Sequence, residues 1–115
     1  ALDIADAVLA LVARCEADGW PTGGDSLLHV AGTGETTWCG LARRIFAIAG
    51  PLGGPTAEVE AIATADYPTP ATRPANSRLD TTRLAERHGI RLPRWEMSLE
   101  TVVRRLLAEG WPAAA

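Results

Sequence analysis

Apolar residues recur every three to four positions in four stretches of this chain, and each stretch carries helical punctuation. In the first, residues 2–17, they fall at Leu2, Ala5, Val8, Leu9, Val12 and Cys15, the period of an amphipathic helix. Asp3 and Asp6 suit the positive end of its dipole, and Gly19 is a natural stop. The second is the clearest: Trp38, Leu41, Ala42, Ile45, Phe46 and Ala49, with Thr36 or Thr37 as N-cap and Gly50-Pro51 as the end. Trp38 lies on that stripe and reads as core. The third is short, residues 81–88, with Asp80 as N-cap, Gly89 as stop and His88 placed to interact with the helix end. The last carries Leu99, Val102, Val103, Leu106 and Leu107 and ends at Gly110. Trp95, ahead of it, is expected to plug a gap between helices, and Trp111 with the Pro-Ala tail reads as a frayed end.

Three shorter stretches read as strands. SLLHVA (26–31) is a mostly apolar run bounded by Asp25 and Gly32, the signature of a buried strand. AEVEAIAT (57–64) alternates Glu58 and Glu60 against Val59 and Ala61, and residues 76–79 suggest a third, brief strand. The pattern therefore predicts an α/β fold of about four helices and two or three short strands. His29, with no partner evident, is expected to be a packed or edge histidine. Nothing nearby would raise the pKa of Glu58 or Glu60, so they do not form a glycosidase-like carboxylate pair.

Between the second and third helices lies DYPTPATRPANSRLD, residues 66–80, the stretch that organises the reading. Pro68, Pro70 and Pro74 exclude a helix or a central strand. Each also pushes the residue before it (Tyr67, Thr69, Arg73) toward extended geometry. The loop is thereby stiffened, and it presents Tyr67, Arg73, Asn76, Ser77 and Arg78. A ring face, two guanidinium forks, an amide and a hydroxyl suit a small anionic ligand with polar rings. The plainer reading is a solvated connector, since proline-rich segments commonly mark crossovers.

Composition narrows the chemistry. The chain has 115 residues, 47% of them hydrophobic, and a net charge of −3. That is about one soluble domain, with arginines too dispersed for a nucleic-acid footprint. No apolar run approaches the ~20 residues that cross a bilayer, and no signal peptide opens the chain; a cytoplasmic home is the simple inference. Cys15 and Cys39 have no metal-ligand spacing and read as buried, reduced thiols; no metal is expected. Every basic residue is arginine, which excludes a Schiff-base lysine, a Walker A lysine and a Tyr-x-x-x-Lys pair. Gly32-Thr33-Gly34-Glu35-Thr36-Thr37 imitates a dinucleotide fingerprint, but threonine stands where the third glycine belongs. The first helix begins at the second residue, as expected of a chain cut from a longer one.

Three stretches, in order and spacing, resemble the C-terminal part of dTDP-4-dehydrorhamnose reductases, which are extended short-chain dehydrogenases/reductases. They are LLHVAGTGETTWCGLARRIF (27–46), TADYPTPATRPANSRLDTTRL (64–84) and HGIRLPRWEMSLETVVRRLL (88–107). The resemblance implies NADPH-dependent reduction of a 4-keto dTDP-deoxyhexose, giving dTDP-L-rhamnose. It also implies that residues 26–31 are the edge strand of a Rossmann sheet. Residues 1–56 would then be a remnant of the Rossmann side, and 57–115 a small mixed α/β substrate-binding domain. Arg73 is the first choice for the substrate pyrophosphate, with Asn76, Ser77 and Arg78 completing the site and Tyr67 stacking on a base or ring. The glycine-rich loop and the Tyr/Lys pair of the family are absent from these residues. No catalytic residue is therefore assigned, and the chain alone is expected to bind no NADPH and to reduce nothing. Its first helix and the 26–31 stretch should show apolar surface for the missing domain or for self-association. A non-catalytic nucleotide-sugar-binding or regulatory module, or part of another nucleotide-sugar reductase or epimerase, remains open.

Overall fold

The computed structural model describes residues 1–20, 22, 27–67, 69–71 and 74–110. Four helices follow the predicted punctuation: α1 (Leu2–Asp18), α2 (Trp38–Ala49), α3 (Thr82–His88) and α4 (Trp95–Glu109). Single 3-10 turns add Gly50–Leu52 and Thr64–Asp66. Thr37 caps α2, its hydroxyl accepting the Gly40 amide at 3.0 Å, as a threonine N-cap does for an unpaired first-turn donor. Gly89 closes α3 in the left-handed region (φ 62°), donating its amide to the Ala85 carbonyl.

The strands do not form. Among the described residues the structure has no strand, only an isolated parallel bridge between Thr33 and Arg94, so the expected α/β fold with a Rossmann-sheet edge is corrected to a helical one. A strand is defined by its neighbour, and composition supplies only half of that pair. Along 27–30 exposure does alternate: Leu28 and Val30 pack on a core while Leu27 and His29 face out. Ser26, the first residue of that expected strand, lies outside the described residues. In 57–63 the Val59 carbonyl is taken by the Arg43 guanidinium at 3.1 Å, and alanine and glutamate are weak strand formers. Residues 76–79 run straight from proline into the cap of α3.

The chain divides into two compact units. The first comprises Ala1–Gly34 and Arg78–Trp95, the second Glu35–Ser77 and Glu96–Ala115. In the first, Ala7, Leu84 and Leu92 form the buried cluster, with Leu11, Leu28, Val30 and Ile90 packed against it. Thr33 ties this unit together, its amide donating to the Pro93 carbonyl and its carbonyl accepting the Trp95 amide, both at 3.0 Å. Gly34 turns away at φ 85°, and a Cβ there would stand 3.0 Å from the Trp95 ring. In the second unit, Ile48, Ala49 and Val103 are buried, flanked by Ile45, Leu99 and Leu107.

Burial on α1 departs from the stripe read in the sequence. The helix buries the line Ala7 and Cys15, with Leu11 half-buried between them, while Leu2, Val8 and Leu9 remain exposed. Trp38 likewise stands 85% exposed rather than in a core.

Leu84 is 1% exposed and Leu9 is 69% exposed. Leu84→Ala should therefore cost about 2–5 kcal/mol of stability. Leu9→Ala should change it by less than about 0.5 kcal/mol. Urea unfolding of the two variants measures both, and equal losses would contradict this burial pattern.

Candidate functional site

The proline-rich stretch is entered through a 3-10 turn. Asp66 closes that turn from both sides: its amide donates to the Ala63 carbonyl at 3.0 Å, and its carboxylate accepts the Ala63 amide at 3.3 Å. Tyr67 follows with its amide on the Thr64 carbonyl and its ring 67% exposed. Further on, the Thr69 hydroxyl donates to the Ala71 carbonyl at 2.9 Å, a local bond of the kind that shapes turns. Pro68, Thr72 and Arg73, the last being the first choice for a pyrophosphate, lie outside the described residues. Asn76, Ser77 and Arg78 are all exposed. Tyr67, Asn76 and Ser77 belong to the second unit and Arg78 to the first.

The stretch ends at a fixed point. The Asp80 carboxylate accepts the Thr82 amide at 2.9 Å, so it serves the start of α3 from one position further out than an N-cap, the cap position itself being Thr81. Hydrogen bonding from the Thr82 hydroxyl and amide lowers the Asp80 pKa, and the nearby His29 and Arg83 charges act in the same direction. Hydrogen bonds to the ionised form and opposite charges both favour the carboxylate.

His29 does have neighbours that its own segment does not reveal. With Leu27, Asp80 and Arg83 it lines a pocket of about 240 Å³ in the first unit. Arg83 Nη1 donates to the Leu27 carbonyl at 3.2 Å. Local sequence carries no signal for this cluster, because its members are brought together by the fold.

The glycine-rich loop leaves little room beside its glycines. A Cβ on Gly32 would meet the Pro93 carbonyl at 3.3 Å, and one on Gly34 would meet the Trp95 ring. Residues 93–95 thus pack close against those glycines, and the helix behind begins with a capping threonine. Glu58 and Glu60 are exposed, and among the described residues no group of three or more histidine, cysteine or acidic side chains gathers to hold a metal. No helix among them is long and apolar enough to cross a membrane.

Comparison with known proteins gives a consistent result. A family model described as the RmlD substrate binding domain matches residues 1–108. The dTDP-4-dehydrorhamnose reductase of Sinorhizobium fredii is 44% identical over 84 residues, covering 73% of this chain and 28% of that protein. That of Burkholderia thailandensis is 41% identical over 105 residues, 88% of this chain and 35% of the relative. The Salmonella typhimurium enzyme is 40% identical over 85 residues, 72% of this chain and 27% of the relative. The chain thus spans about a third or less of the length of these relatives, in their C-terminal part.

A folded carboxylate whose pKa is lowered contributes stability above its unfolded value, and that contribution is lost as pH falls through the folded value. Asp80 should accordingly titrate below its ordinary 3.8, with α3 loosening only in that acid range. Side-chain NMR titration checks this, and Thr82→Val, which removes the hydroxyl and keeps the amide, should move the midpoint back up.

Proposed function

The chain belongs to the family of RmlD substrate binding domains, and on that footing we propose that it forms the sugar-nucleotide-binding side of an NADPH-dependent dTDP-4-dehydrorhamnose reductase. The observation that carries this reading is the match over residues 1–108 to a substrate-binding family. It is joined by the residue types of the proline-rich segment, which have the chemistry for such a ligand, and by the exposure of Tyr67, Asn76, Ser77 and Arg78 within it. Arg73 is assigned to the pyrophosphate, because a planar guanidinium makes two charge-assisted bonds to phosphate oxygens. Arg78 adds a second positive charge, Asn76 and Ser77 offer donors and acceptors, and the exposed Tyr67 ring stacks on a base or sugar. Residues from about 57 onward are assigned to the substrate-binding part and 1–56 to the side that meets the cofactor-bearing portion.

In this reading NADPH supplies the hydride in the complete enzyme, and these residues hold and orient the substrate. Reduction of a carbonyl needs a nicotinamide against it and an acid to protonate the alkoxide. With no lysine in the chain and a glycine loop packed close against residues 93–95, the 115 residues alone should not oxidise NADPH in the presence of dTDP-4-dehydrorhamnose. In the complete enzyme, Arg73→Ala should weaken dTDP binding by about 10- to 100-fold, as loss of a charged hydrogen-bond partner does. Calorimetric titration reads this; unchanged affinity removes Arg73 from the site, and NADPH oxidation by the chain alone overturns the division of labour.

The exposed Leu2, Val8 and Leu9 on α1 are assigned to contact with the cofactor-bearing portion or, in its absence, with a second copy of the chain. Sedimentation of the chain should show concentration-dependent association that Leu9→Glu abolishes; a monodisperse monomer at all concentrations counts against the assignment.

A further inference from the structure

The segment that leads into the proline-rich loop folds back along α2. The Gly54 amide donates to the Ala49 carbonyl at 2.9 Å, and a Cβ on Gly50 would meet the Thr56 methyl at 2.9 Å. Arg43 stands about 9 Å nearer the start of the helix than Ala49. From there its Nη2 donates to the Val59 carbonyl at 3.1 Å. All of these residues belong to the second unit, as do Tyr67, Asn76 and Ser77.

Residues 57–63 offer little for other elements to grip. They lie in no helix or strand, and all are exposed except the half-buried Val59. Ala57, Ala61 and Ala63 have small side chains, and a solvated stretch of this kind gains little from apolar burial. Its path therefore depends on polar bonds. Gly54 fixes one end. At the other, the Asp66 carboxylate on the Ala63 amide sets the shape of a local turn and not its location. The bond from Arg43 supplies the lateral tie between the two. A guanidinium suits this task, because it is charged at every working pH and a charged donor makes the stronger bond to a carbonyl.

We propose that Arg43 is a positioning residue for the substrate, holding the root of the proline-rich loop through the Val59 carbonyl. Proline stiffening places a side chain accurately only when the chain entering the loop is itself located. Arg43 touches no ligand in this assignment. It acts by reducing the ordering that Tyr67 and Asn76 undergo on binding. The assignment rests on the reading above, in which this loop meets the sugar nucleotide.

The test uses the complete enzyme in wild type, Arg43→Met, Arg43→Lys and the two loop variants Arg73→Ala and Asn76→Ala. Arg43→Met keeps an apolar stem without donors, and Arg43→Lys restores a charged donor. Arg43→Met should raise the KM for dTDP-4-dehydrorhamnose and the Kd for dTDP about 3- to 10-fold, the net effect of one hydrogen bond. Because binding alone is affected, kcat and the KM for NADPH should stay at wild type. Arg43→Lys should recover most of the loss. Hydrogen exchange of amides 57–67 should be faster in Arg43→Met than in wild type or Arg43→Lys. Wild-type KM and Kd in Arg43→Met overturn the assignment alone if the loop variants weaken dTDP binding. If the loop variants also bind dTDP normally, the loop reading fails and the assignment fails with it. A fall in kcat matching the rise in KM overturns it by making Arg43 a general support of the fold. Unchanged exchange at 57–67 overturns it whatever the kinetics, as does a lysine variant no better than methionine.

Discussion

Two hydrogen bonds at Thr33 set how the distant segments of the first unit meet. They join the amide and carbonyl of one residue to Pro93 and Trp95, segments far apart in the chain. Because the second bond falls on the first residue of α4, it also fixes where that helix starts. The turn at Gly34 follows from it: the chain must leave at once, at a positive φ, with Trp95 against the glycine face. A side chain there would meet both strain and the indole. The bridge thus converts a loop that looks like a nucleotide cradle into a packed joint.

The helices were legible because their signals are local. Thr37, Gly50, Gly89 and Gly110 mark ends by what they do to one turn of backbone, and no distant partner is needed. The strands were not legible for the opposite reason. Residues 27–30 alternate in exposure as a strand would, yet among the described residues their neighbour forms no ladder with them, only the single bridge between Thr33 and Arg94. Arg43 shows how a competing bond intervenes, since it takes the Val59 carbonyl that a neighbouring strand would have used. On α1, sequence identified apolar residues correctly but not which of them face the unit's own core. A helix apolar over more than half its circumference offers more than one solution, and Leu84 and Leu92, with Leu28, Val30 and Ile90 packed around them, choose among them.

The candidate site was legible in a similar, divided way. Proline spacing and the types of residue between 66 and 80 predicted an exposed polar loop, and Tyr67, Asn76, Ser77 and Arg78 are indeed exposed. Arg73 lies outside the described residues. The pocket holding His29 could not be read from the chain, because its walls come from positions 27–29 and 80–83, which periodicity never compares. Trp38 also escaped: an aromatic at helical spacing looks like core, and the fold leaves it in solvent.

The uncovered side of α1 carries a thermal consequence. Attraction between apolar surfaces near room temperature is driven by water entropy, so it weakens on cooling and strengthens in excluded salts such as sulfate. Under the proposed self-association, a helix that leaves Leu2, Val8 and Leu9 in water would make assembly of the chain depend on temperature and buffer. Cold and low salt would then weaken that contact, and warmth or ammonium sulfate would strengthen it.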